Sequence, residues 1–170
     1  MQAVDRSKDR PGDPRNREVV FPAFDPQNGN LATPINSSDF SRALINNLPA
    51  YRRGLTPLRR GLEVGMAHGY WLIGPFATLG PLRNSDVANL AGLLSTVGLV
   101  VISTLLISLY AFSYPPAPKA TITASNPPDE LETAEGWNEY ATGFLIGGIG
   151  GAAFAYFLLE NFGLFRGILS

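Results

Sequence analysis

The chain has 170 residues, 13 Lys and Arg against 14 Asp and Glu, and no cysteine. A net charge of −1 excludes the strongly basic field that holds a nucleic acid, and the missing thiols exclude disulfides, thiolate metal sites and cysteine nucleophiles while leaving the redox compartment open. The 45% of apolar residues would suit one small globular domain if they were evenly scattered, but Val87 to Phe112 runs without a single Asp, Glu, Lys, Arg or His.

Residues 1 to about 18 mix both signs of charge with Pro11 and Pro14, a composition that buries too little surface to offset chain entropy, and they predict a tail. They also lack the apolar core of a secretory leader, so the first membrane helix is expected to act as the insertion signal. From Phe21 to Pro34 the prolines and Gly29 predict an extended, turning stretch rather than helix or regular sheet. Ser37, Ser38 and Asp39 then cap a short helix with Phe40, Ala43, Leu44 and Leu48 at helical spacing and Pro49 just beyond. That helix is amphipathic. It fits the membrane surface or an extramembrane domain equally well. Residues 1–58 are thus read as a tail and surface helix, ahead of a membrane domain over 59–170.

Three apolar segments follow, predicting an all-α integral membrane fold with helices at about 60–80, 87–112 and 140–160. The middle one is unambiguous, since about 20 apolar residues cross a bilayer and soluble helices usually keep a polar face. The first, Arg60 to Leu82, carries Glu63 and His68, and it is defined by its brackets: arginines before it, then Gly80, Pro81, Arg83, Asn84, Ser85 and Asp86 as a turn. The stretch 113–136 holds five prolines and an acidic run and predicts an exposed loop. Ten of the 13 basic residues lie at or before Arg60, which by the positive-inside tendency keeps the N-terminus cytoplasmic or stromal and puts the C-terminus, after three crossings, in the lumen. No repeat of fixed period stands out, and three helices do not make the inverted halves of many transporters.

Membrane helices pack through small residues. Gly61, Gly65 and Gly69 recur every four residues on one face of the first segment, and Gly143, Gly147 and Gly151 on one face of the third. The pattern predicts close helix contacts or flat ligands lying on bare backbone. Sequence alone leaves both open. Aromatic residues such as Phe154, Tyr156 and Phe157, with the glycine faces, are candidates to line apolar grooves, and core packing explains them equally well.

His68, the single histidine, sits near the centre of the first segment, where a polar ring without a partner is expensive. A hydrogen bond to another helix is one explanation. The other is a ligand role: Gly65 and Gly69 suggest a clearing for a wide planar ring, and one nitrogen suits the five-coordinate magnesium of a chlorophyll. A bis-histidine haem needs a second histidine, and zinc or copper sites need several protein ligands. Glu63 lies five residues earlier, about 7 Å along the axis and roughly 140° around it, so the two cannot share one metal. Geometry favours pairing Glu63 with Arg59 or Arg60 over giving it a second magnesium.

No nucleophile motif or phosphate-cradling loop is present, so an enzyme is not expected. Glu63, His68 and Glu160 could instead titrate in an accessory subunit of a proton-translocating membrane complex.

The string NLPAYRRGLTPLRRGLEVGMAHGYWLIGP from Asn47 to Pro75, LGPLRNSDVANLAGL from Leu79 to Leu93, and EGWNEYATGFLIGGIGGA running on to YFLLEN resemble, in order and spacing, the photosystem I subunit XI (subunit L) family. The resemblance covers roughly residues 30 to 170. It implies a non-catalytic thylakoid-membrane subunit that binds antenna chlorophyll a and β-carotene, meets the core reaction-centre subunits and membrane lipids, and joins photosystem I monomers into oligomers through copies of itself. It further implies that Glu63 and His68 are axial ligands to chlorophyll magnesium, against the geometric preference for Glu63. Trimer-forming relatives carry an acidic residue, associated with calcium, where this chain has Asn84. An amide is the poorer ligand, so at most a weak calcium site near Asn84 and Asp86 is implied. The longer loop and tail leave dimer, trimer or tetramer open.

Overall fold

The computed structural model describes residues 20–23 and 31–162. The expectation for the tail of residues 1 to about 18 lies outside them. Two compact units divide the chain, Met1–Arg53 with Lys119–Pro127, and Gly54–Pro118 with Pro128–Ser170.

In the first unit, β1 (Phe21–Pro22) pairs antiparallel with β2 (Leu31–Ala32), Phe21 opposite Ala32. The stretch expected to be merely extended therefore closes into a minimal ladder, with Ala23 and Ala32 buried. Helix α1 (Asp39–Asn47) begins where the serines foretold: the Ser38 side chain accepts the Ser41 N–H at 3.1 Å, a conventional N-cap. It buries none of its residues, and Phe40, Leu44 and Leu48 form an exposed apolar row. Asn46 Nδ2 donates to the Thr123 carbonyl at 2.7 Å, and Thr123 Oγ1 to the Asn36 carbonyl at 2.8 Å. These two bonds tie Thr123 of the Pro-rich loop to α1 and to the turn that precedes it.

The second unit is a bundle of α2 (Pro57–Leu79), α3 (Ala88–Phe112) and α4 (Ala134–Glu160). Thr56 caps α2 by accepting the Arg59 N–H at 3.3 Å. Pro57 stands in the first turn, where its missing N–H costs nothing. Helix α3 stops because Pro115 and Pro116 cannot continue it. Tyr114 turns the chain there with a φ of 50°. Helix α4 starts ahead of the apolar segment, because Thr133 accepts the Gly136 N–H at 3.0 Å and Glu135 favours the positive end of the helix dipole.

Helices α3 and α4 are long and apolar enough to cross a membrane. Only 17% of the most apolar stretch of α3 is buried within the chain, far less than the core helix of a soluble protein would show. Helix α2 is long enough, at roughly 34 Å from the helical rise per residue, but more polar. Two threonine hydroxyls inside α3 are satisfied by the helix's own backbone. Thr96 Oγ1, wholly buried, donates to the Gly92 carbonyl at 2.8 Å, and Thr104 Oγ1 to that of Val100 at 2.8 Å.

Glycine sets how the helices meet. A Cβ on Gly61 would fall on the Tyr140 carbonyl, on Gly65 on the Phe144 carbonyl, and on Gly69 on the Gly148 carbonyl; reciprocally, Gly143, Gly147 and Gly151 would strike the carbonyls of Leu58, Leu62 and Met66. Residue numbers rise together along the two helices, so α2 and α4 run parallel, backbone against backbone. Helix α3 is antiparallel to them: Gly92 lies beside Ala77, Val100 beside Gly148, and Tyr110 beside Trp137. Both glycine rows are thus consumed by helix contact. The faces these glycines present are covered by the partner helix.

Candidate pigment-binding site

At the head of α2, Arg60 is only 2% exposed. Its Nη2 donates to the Leu55 carbonyl at 3.2 Å and lies 3.9 Å from Glu130 Oε2. Glu130 belongs to a 3-10 turn, Asp129–Glu132, whose backbone lies so close to α4 that a Cβ on Gly136 would strike the Glu130 carbonyl. The acidic run is therefore fastened to the bundle rather than hanging from an open loop. Glu63 follows on α2, half-buried, and it too has a partner.

His68 lies on the outer flank of the α2–α4 seam, with Met66, Ala67 and His68 all exposed. The expected clearing for a macrocycle at Gly65 and Gly69 is absent, because α4 fills it. What the ring has instead is a fixed attitude. Its Nδ1 is 2.8 Å from the Val64 carbonyl. A carbonyl can only accept, so the neutral imidazole carries its proton on Nδ1 and its lone pair on Nε2. From α4, the Phe144 ring meets it edge-on, with centroids 5.4 Å apart and planes at 61°. Neither neighbour was singled out from sequence. Val64 was within reach of inference, because it stands one helical turn before His68, whereas Phe144 enters only through the bundle.

Farther along the seam, Tyr70, Trp71, Gly74, Ala155, Leu158 and Phe162 help line an apolar cavity of about 420 Å³. None of Phe154, Tyr156 and Phe157 lines it, although Phe154 stacks on Tyr70 with centroids 6.3 Å apart. Glu160 accepts a hydrogen bond from Asn89 Nδ2 at 3.0 Å, bridging the end of α4 to the start of α3. Asn84 and Asp86 are exposed in the turn between α2 and α3. Among the described residues no group of three or more His, Cys, Asp or Glu converges as a metal site would require.

Comparison with known proteins decides what this membrane bundle is. Residues 18–164 match the family model described as photosystem I reaction centre subunit XI. The chain belongs to that family. A subunit XI from Trichormus variabilis is 65% identical over 169 residues, covering 99% of this chain and 98% of that protein. One from Nostoc sp. is 64% identical over the same shares, and one from Porphyra purpurea is 57% identical over 81% of this chain and 85% of its own. Similarity thus reaches well into the first thirty residues, which are no private extension of this chain. As a member of the subunit XI family it is a non-catalytic photosystem I subunit and a multi-pass protein of the thylakoid membrane. The reading as an accessory to a proton-translocating complex is set aside.

Proposed function

We propose that this subunit crosses the thylakoid membrane three times, holds antenna chlorophyll a on its first crossing, and joins photosystem I monomers through contacts between copies of itself. The crossing added to α3 and α4 is α2, the first in chain order. Because α2 is parallel to α4 and in backbone contact with it from Gly61 to Gly69, the two occupy the same depth, and a bilayer that covers α4 covers α2. The basic residues before Arg60 put the N-terminal region on the cytoplasmic or stromal side and the C-terminus in the lumen.

Chlorophyll is assigned to His68 and Glu63. The observation that carries this is the imidazole itself: it lies exposed on the outer flank of α2, its Nδ1–H donating to the Val64 carbonyl, with a lone pair on Nε2 for magnesium. Glu63 offers a hard oxygen at another level of the same helix, suited to a second magnesium. Chlorophyll supplies light absorption and excitation transfer when bound. The chain's own residues fix where the pigment sits, how it is oriented and how apolar its surroundings are. β-Carotene is assigned to the apolar cavity beside Tyr70, Trp71 and Gly74, whose size falls within the usual range for ligand pockets, roughly 300–1,000 Å³. Calcium is not included, since Asn84 offers only an amide beside Asp86.

The test is His68→Leu in the intact complex. Particles are expected to retain the subunit, lose one chlorophyll relative to wild type and lose its band from the low-temperature absorption spectrum. An unchanged pigment count and spectrum, with the subunit present, would refute the ligand role.

A further inference from the structure

A histidine serves as an axial ligand only if its tautomer and its ring orientation are both held, and groups outside the coordination sphere usually do the holding. The Val64 carbonyl fixes the tautomer of His68 and restrains one edge of the ring. A ring held by one hydrogen bond still swings about it. The restraint on that swing comes from α4, where Phe144, 6% exposed, meets the imidazole in an edge contact with centroids 5.4 Å apart.

Phe144 is well placed to act as a wall. Tyr140, one turn earlier on α4, stacks on it at a centroid distance of 6.5 Å with planes at 18°, which restrains the phenyl ring in turn. Beneath it, the Phe144 backbone packs directly on Gly65, just short of one turn before His68 on the same helix. The base of the wall and the base of the imidazole are thus locked together by the contact that joins α2 to α4. An ordinary core phenylalanine has no need of such registration with one exposed polar ring.

We propose that Phe144 is the positioning residue for His68: it holds the imidazole so that Nε2 faces outward from the seam toward the pigment magnesium. This rests on the ligand role proposed for His68. Phe144 touches no magnesium itself; it acts through the ring it holds. The pigment's orientation, and with it the polarisation of its absorption, is accordingly set from α4 although the ligand belongs to α2.

The experiment compares photosystem I particles carrying His68→Leu, Phe144→Leu, Phe144→Met and Phe144→Tyr. Pigment content, low-temperature linear dichroism and resonance Raman bands sensitive to magnesium coordination are measured. His68→Leu defines the band of the affected chlorophyll by its loss. Phe144→Leu and Phe144→Met keep apolar bulk but remove the ring edge, and both are expected to keep the chlorophyll while shifting that band and its dichroism. Phe144→Tyr, which keeps the ring, is expected to restore the wild-type position. A band unmoved in Phe144→Leu or Phe144→Met, while His68→Leu abolishes it, would overturn the positioning role and leave the ligand role standing. If His68→Leu leaves all bands intact, the ligand role falls and the positioning role falls with it. A general loss of subunit stability would lower every pigment signal together, and would not move one band's polarisation.

Discussion

The contact between α2 and α4 and the attachment of α3 to both are made of different material. Along the first, six glycines put backbone against backbone, and the ring pairs His68–Phe144 and Tyr70–Phe154 add side-chain contacts between the same two helices. Along the second, side chains carry more of the packing: Val100 is 1% exposed and lies over Gly148, while Gly92 meets the Ala77 side chain as well as the α2 backbone at Ile73 and Ala77. Lipid gives helices no hydrophobic reason to associate, so close van der Waals packing has to supply the drive. The closest packing is reserved for α2, the helix that carries Arg60, Glu63 and His68 and so has the weakest claim to the bilayer on its own. The comparison teaches that α4 is the partner that keeps the polar helix in place, and that a precise pigment ligand needs a contact with no flexible parts.

The seam should therefore fail abruptly. Gly147→Leu puts a branched side chain where a single Cβ would already strike the Leu62 carbonyl, and a helix backbone cannot yield locally without separating the helices. The subunit is expected to be absent from isolated photosystem I, read by immunoblot of the purified complex. Wild-type levels of this variant would show that the two backbones are not in contact.

The attachment of α3 should weaken by degrees. Val100→Ala removes two buried methyl groups, one of which lies 2.6 Å from where a Cβ on Gly148 would stand. A cavity of that size costs roughly 1–2 kcal/mol. The subunit should assemble at normal levels and dissociate from the complex at a lower temperature or detergent concentration. Loss as complete as that of Gly147→Leu would mean the two contacts are equally unforgiving.

These contrasts also mark what the sequence could reveal. Helix α3 was legible from end to end because it is uniformly apolar, and its bounds of Ala88–Phe112 nearly coincide with the apolar stretch. Helix α4 was legible only in its apolar part. Hydropathy reports where lipid would lie, and the helix begins earlier, at a cap made by Thr133 that hydropathy does not register. The glycine rows were visible, but a glycine shows only that room is needed, not whether a helix or a ligand fills it. That ambiguity carried over to His68: the lone imidazole stood out, yet the supposed clearing beside it is α4. The β1–β2 ladder was not legible at all, since so short a pairing leaves no alternation to read.

The smallest effect is expected at a glycine of the opposite kind. Around Gly98, on the exposed side of α3, a Cβ would meet nothing within 4 Å. Alanine there costs no contact within the chain and gains the helix preference of alanine over glycine, about 1 kcal/mol in soluble helices. Gly98→Ala is therefore expected to leave subunit level, pigment content and the monomer and oligomer bands on native gels unchanged, with dissociation temperature equal to wild type or slightly raised. The same substitution would behave like a seam glycine only if a neighbouring helix pressed its backbone against this position in the assembled complex. Oligomers lost while monomers stay intact would reveal that hidden contact, and would show bare backbone deciding what binds between copies as well as within the chain.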